Sequence, residues 1–298
     1  MSAGWVFLAT MIVAYGVANL LQSIAAARTD LQQGFNPRLL LSLGKRKTYL
    51  VGLFCQFTGF LLAFLARRDL PLFLVQAAVA AGLGVTALLG VLVLKWRLPK
   101  AEVALLGALC GGLAGLVISA RPHPSRQLGL AGDIGLTVVL LLIAVVGFFA
   151  ARLHGSHGSV ALGSLAGVAF AAAAVASRPL AGAHSVHQLV TDPLLYLLVA
   201  HSIVGQLLLG MAMQRGSTTS AVAAMDAAAA IPAAAVGLLL LGDEIHPGRG
   251  WLAAAGFLVT LLAVIGLSFY AEPQHQHQQA RARVTVGAGP SRTAHRPD

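Results

Sequence analysis

Residues 223–247 read AAMDAAAAIPAAAVGLLLLGDEIHP, with one aspartate, Asp226, set among alanine, leucine and valine well ahead of the polar turn that carries Asp243 and Glu244. A helix crosses the hydrocarbon of a bilayer with about 20 apolar residues. Barrel strands are shorter and alternate in polarity, so this stretch reads as a membrane-spanning helix. Asp226 is costly at such a depth, which makes it a candidate functional group.

The rest of the chain extends that reading. Of its 298 residues, 57% are hydrophobic and 10% charged, and the mean hydropathy is +0.81. Soluble chains run near a quarter charged. This one has too few charges to cover a water-facing surface, and the bilayer becomes its first partner. The net charge of +10 matches the Lys and Arg excess of polytopic membrane proteins and does not point to nucleic acid. Cys55 and Cys110 lie in apolar runs and read as free thiols, with no disulfide framework. The start, MSAGW, enters an apolar run with no basic residue before it, so that run reads as a retained helix.

Nine segments are long enough to span, near 4–25, 48–66, 71–94, 102–120, 133–151, 158–177, 193–213, 217–241 and 251–270. The expected fold is an all-α membrane protein of about nine transmembrane helices over 1–271, in halves of about 1–122 and 130–271. The piece Leu39 to Leu43, within residues 35–44, is too short to cross and reads as an interfacial helix or a vestigial span. From 272 to 298 the chain is rich in Gln, His, Arg, Gly and Pro and is expected to be a disordered cytoplasmic tail. With the first loop placed inside, fourteen Lys and Arg fall on that side and six on the other. This predicts a multi-pass cell-membrane protein, N-terminus outside and C-terminus cytoplasmic.

The stretch from Ala66 aligns without gaps on the stretch from Gln214, at an offset of 148. Arg67 meets Arg215, Pro99 meets Pro247, and Ala78 stands where the second copy has Asp226. The two copies run in opposite directions across the bilayer, so they are expected to form inverted repeats, a common build of secondary transporters.

ALLGVLVLKWRLP (87–99) and VGLLLLGDEIHPGRGWLAAAGFLVTLLAVIGL (236–267) resemble the repeated module of the drug/metabolite transporter superfamily, the EamA-like proteins. Gly242, Asp243, Glu244 and Gly256 carry its glycine–acid turn and glycine-containing helix, while Trp96 departs from it in the first half. The resemblance implies ten spans in two halves of five. A nine-span layout is similar to the NIPA-like magnesium-transporter branch, as is LVQAAVAAGLGVTALLGVLVLKWRL (74–98). Magnesium asks for several oxygen ligands, and these spans offer few.

No P-loop, HExxH, GxSxG or paired CxxC occurs, so no catalytic residue, metal site or cofactor is expected and the chain does not read as an enzyme. His154 and His157 read as part of a solvated loop, and the acids of GDEIHP as a tight turn before the last helix. The informative residues are the polar ones inside spans. Asp226 lies about 13 Å and His201 about 12 Å from opposite faces, so an Asp–His pair near the midplane is expected, able to take up a proton or hold a cation. Asn19, Gln22, Gln56, Gln76 and Gln206 either line a substrate path or join helices by hydrogen bonds. Pro232 is expected to break its helix, and Gly107, Gly111 and Gly115 to form a close-packing stripe. The expected activity is alternating-access transport of a small polar metabolite or cation. The alternative is a non-transporting accessory protein that scaffolds a membrane complex or lipid-linked pathway, with a homodimer or another membrane protein as partner.

Overall fold

The computed structural model describes residues 3–27, 47–94, 98–153, 155–183, 185–215 and 218–287. The short apolar piece in 35–44, Trp96, His154 and residues 288–298 lie outside them. The helices are α1 Ala3–Ala27, α2 Lys47–Ala66, α3 Leu72–Ala80, α4 Gly82–Leu94 and α5 Lys100–Ser119. After these come α6 Gly129–Ala150, α7 Gly155–Leu180, α8 Val186–Thr191, α9 Pro193–Arg215, α10 Thr218–Leu239 and α11 Gly250–Gly287. Two short strands, β1 Ala120–Arg121 and β2 Glu244–Ile245, pair antiparallel with Ala120 opposite Ile245. They mark one end of the bundle, called here the sheet face.

Among the described residues, eight helical segments are long and apolar enough to cross a membrane, with α3 and α4 together forming one of them, Leu72–Val93. The apolar part of α2, Leu50–Ala66, is shorter. Large apolar side chains such as Phe54, Phe148, Phe149, Leu239 and Trp251 stand exposed on the outside of the bundle. In water they would be a liability; against lipid they are the outer surface of an all-α, multi-pass membrane protein.

Local chemistry sets the helix ends. Pro71 and Pro99 precede α3 and α5 with extended backbone, where a missing N–H breaks no helical bond. The Ser185 hydroxyl accepts the Gln188 N–H and caps α8. Pro232 does not break its helix as expected, for α10 runs through it. Bilayer helices tolerate proline where neighbours re-satisfy the freed carbonyl. The interruption falls instead in the span Leu72–Val93, which has no proline, at Ala81 between α3 and α4. There the Ala81 N–H bonds Ala78 O at 3.1 Å, a three-residue closure, and Thr86 Oγ1 donates to Gly82 O at 2.8 Å.

Packing follows small residues. α9 and α10 both lie along α7, α1 lies along α2 and α4, α5 pairs with α11, and α3 crosses α10. A Cβ on Gly163 or Gly167 of α7 would run into the Ala221 and Met225 carbonyls of α10. The expected stripe on α5 is corrected. Gly107 and Gly111 have nothing within 4 Å of a Cβ position, whereas one on Gly112 would stand 2.8 Å from Gly256 O of α11. Gly115, the third member of the expected stripe, does face α11, 3.6 Å from Gly256 Cα. The close approach is made by Gly112 and Gly115, three residues apart, and Gly112 is turned about 100° around the helix from the expected Gly111.

The tail also departs from expectation, since α11 stays helical past the span as far as Gly287. Once a helix is nucleated each further residue adds a bond at little cost, and Ala, Gln and Arg propagate it well.

Candidate functional site at the crossing of α3, α10 and α11

Asp226 sits on α10 beside a cavity of about 40 Å³. α3 contributes Gln76 and Ala80, and α11 contributes Phe257, Thr260 and Val264. Holding one water takes about 10–15 Å³ of such volume, so the cavity admits a few waters or one bare ion. Its walls are otherwise alanine, valine, leucine and phenylalanine. Asp226 is partly buried, and its carboxylate has no hydrogen-bond or ion-pair partner among the described residues.

Two further polar groups nearby are left unpaired. Thr260 is 2% exposed and its hydroxyl has no partner among the described residues. Its Oγ1 lies toward α5, 2.5 Å from the Cβ position of Gly112. Arg67 lies in the turn after α2, buried, with Nε unpartnered. Its Nη2 donates to Gln76 Oε1 at 3.5 Å and its Nη1 to Ser177 Oγ at 3.1 Å. Burial pulls Arg67 down to about 10; Tyr15 opposes the shift and the Arg178 charge adds to it. It is therefore cationic at neutral pH, with no acid partner among the described residues. Gln76 links that cation to the Asp226 cavity.

The expected Asp226–His201 pair does not form. His201 is fully buried; its Nδ1 is bonded to the Leu197 carbonyl at 2.8 Å, and its Nε2 has no partner among the described residues. It belongs to the stripe Leu194, Leu198, His201, Gly205 and Leu208, whose Gly205 lies against the Phe170 ring of α7. Sequence neighbours α9 and α10 are thus not principal partners, because α7 lies between them. Equal depth placed the two groups at one level but on different faces.

Of the amides whose side chains are described, only Gln76 lines the Asp226 cavity. Gln206 is exposed on α9, Gln56 is partly buried on α2 and Asn19 partly buried on α1. The Gln22 side chain lies outside the described set. No group of three or more His, Cys, Asp or Glu stands together to hold a metal among the described residues.

Sequence reasoning missed the most heavily bonded charges. Arg178, near the end of α7, meets Asp243 in the turn after α10, and both side chains are wholly buried. Its Nη2 donates to Asp243 Oδ1 at 2.9 Å and to His123 O at 2.8 Å, its Nε to Asp243 Oδ1 at 3.2 Å, and its Nη1 to the carbonyls of Arg67 and Arg68. Asp243 Oδ2 accepts the Leu72 N–H at the start of α3, at 2.5 Å. The turn thus faces α3 and α7, where the sequence placed its acids ahead of α11. Glu244 beside it is half exposed and pairs with Arg121 at 3.0 Å. A proline–arginine end to an apolar helix (Arg178, Pro179) was the one signal that could have marked Arg178.

No family model, curated protein or solved structure matches this chain.

Proposed function

We propose that this protein is a secondary transporter of a small polar metabolite or ion, working by alternating access, with Asp226 as its coupling or binding charge. The observation that carries the reading is a carboxylate with no partner among the described residues, set at a small cavity where α3 and α10 cross. These are the helices that the repeat relates to each other. The amide of Gln76 supplies the polar lining from the first half, with the cationic Arg67 hydrogen-bonded behind it.

The helix pairings support inverted repeats. α1 packs on α2 and α4 as α7 packs on α9 and α10, while α5 meets α11 and α3 meets α10. α1 starts at the sheet face and α7 ends there, so the related helices point opposite ways. That pattern, with α2 as the ninth span, supports the drug/metabolite transporter reading and matches five helices in the second half with four in the first. The sheet face is then the outer one. At about 40 Å³ the cavity admits an ion or waters as it stands; a metabolite enters only when α3 and α10 part.

The test is flux in proteoliposomes, screened over solutes with imposed pH and potential gradients. Asp226→Asn is expected to reduce flux to background while inserting and melting like wild type. Undiminished flux in Asp226→Asn would overturn the assignment.

A further inference from the structure

We infer that the cleft between α6, α7 and α10 is a binding site for one membrane lipid with an anionic, phosphate-bearing headgroup. The cleft has a volume of about 490 Å³ and is separate from the Asp226 cavity. α6 packs on α7 far less extensively than α9 and α10 do, and the space left is walled by Gly135 and Val139 of α6, Val168 and Val175 of α7, and Pro232 and Val236 of α10. Water has no place there, since a buried water needs two to four polar partners and Gln127 at the mouth is the one polar side chain in the lining. Ala131, Gly135 and Leu240 along the rim are exposed, so the cleft opens sideways along its length to the hydrocarbon.

Its height selects the occupant. From Leu128 to Val139 the α6 wall rises about 16 Å at 1.5 Å per residue, half of a core about 30 Å thick. That is the depth of one leaflet, which suits an acyl chain entering from the sheet face. A partner's spanning helix would need the full height.

The mouth selects the headgroup. Gln127 also lines a polar basin of about 260 Å³ that includes Arg68, Asp69, Ser125 and Arg178. Arg178 is committed to Asp243 and to the carbonyls around it. The Asp69 carboxylate accepts the Gly4 N–H at 3.2 Å. Arg68 and Arg126 are exposed and have no acid partner among the described residues. Arg126 holds its Nε 2.9 Å from the Cβ position of Gly242, at the α10 end of the mouth. With Arg178 cancelled by Asp243, Arg68 and Arg126 outnumber Asp69 and leave the mouth net positive. A phosphate at Arg68 and Arg126, a polar–apolar boundary at Gln127 and a chain beside Gly135 fit one lipid to both spaces.

The experiment is native mass spectrometry of delipidated full-length protein titrated with phosphatidylglycerol or phosphatidylcholine of identical chains. Wild type is expected to retain one phosphatidylglycerol about tenfold or more in preference to phosphatidylcholine, as two arginines at a membrane surface imply. Arg68→Gln/Arg126→Gln, at exposed positions, is expected to erase that preference. Gly135→Trp is expected to lose both lipids, since nothing stands within 4 Å of its Cβ position and the ring fills the cleft. Inorganic phosphate alone is expected to displace neither. Equal retention of the two lipids by wild type, a preference unchanged in the double arginine variant, or wild-type retention by Gly135→Trp would each overturn the site. If Gly135→Trp does not fold, the double variant decides. Asp226→Asn is expected to bind lipid normally, so this site and the transport reading stand or fall separately.

Discussion

Arg178 with Asp243, and Asp226 with Gln76, are both polar sets inside an apolar helix bundle, yet they are built in opposite ways. At the sheet face every heteroatom of the pair is engaged: the carboxylate takes the guanidinium and the first N–H of α3, and the remaining guanidinium donors go to loop carbonyls. This ties the turn after α2, the segment after β1, the end of α7 and the turn after α10 into one knot. At the α3–α10 crossing the carboxylate stands beside a cavity with no partner among the described residues. A buried polar group left unpaired costs about 1–3 kcal/mol. A bundle able to saturate Arg178 so fully could have saturated Asp226, or used alanine as the first copy does at Ala78. One set is saturated from within the fold, and the other is left unsaturated among the described residues.

The contrast predicts a graded series. Arg178→Ala should be the most damaging to stability, at about 3–5 kcal/mol, because it leaves a buried Asp243 without its partner. Thermal unfolding in detergent measures this, and a loss near zero would show that the knot contributes no net stability. Gly112→Val should cost about 1–3 kcal/mol in the same melt, by overpacking against the Gly256 carbonyl and the Thr260 hydroxyl, and through Thr260 it should also disturb the wall of the Asp226 cavity. Thr260→Val has the opposite sign, for it removes an unpartnered hydroxyl while keeping the side-chain shape. It should leave the protein equal or up to about 1 kcal/mol more stable. A clear loss of stability would mean that the hydroxyl is bonded in the folded protein, which would weaken the contrast between the two sites. Gly107→Ala, facing open space, should change stability by no more than about 0.5 kcal/mol; a larger effect would place a neighbour on that face.

The two segments that align at an offset of 148 differ in the same spirit. The first is interrupted at Ala81 without a proline, while the second runs straight through Pro232. The three-residue closure at Ala81 lies just past Ala80, which lines the Asp226 cavity. The irregular backbone between α3 and α4 therefore lies beside the carboxylate of α10. Proline in α10 suggested the irregularity in the wrong copy, because the interruption is set by the close approach of α1, where Thr86 Oγ1 bonds Gly16 O at 3.2 Å as well as its own helix. That approach is a property of the pair and is not written in either helix alone.

What the sequence determined by itself was local or additive. Apolar run length marked the candidate spans, composition assigned the chain to the membrane, and a rise of 1.5 Å per residue placed Asp226 along its helix. Gln76 was legible too, as an amide where an amide is costly. What only tertiary structure decided was which way each side chain faces. Successive residues turn about 100° around a helix; His201 at the right depth therefore looks at α7, and Gly112 makes the contact assigned to Gly107 and Gly111. Arg178 and Asp243 are 65 positions apart and meet only after the loops of one face have assembled. Depth along a helix follows from counting residues, but facing depends on which neighbour packs where, and small residues spread over the whole chain settle that together.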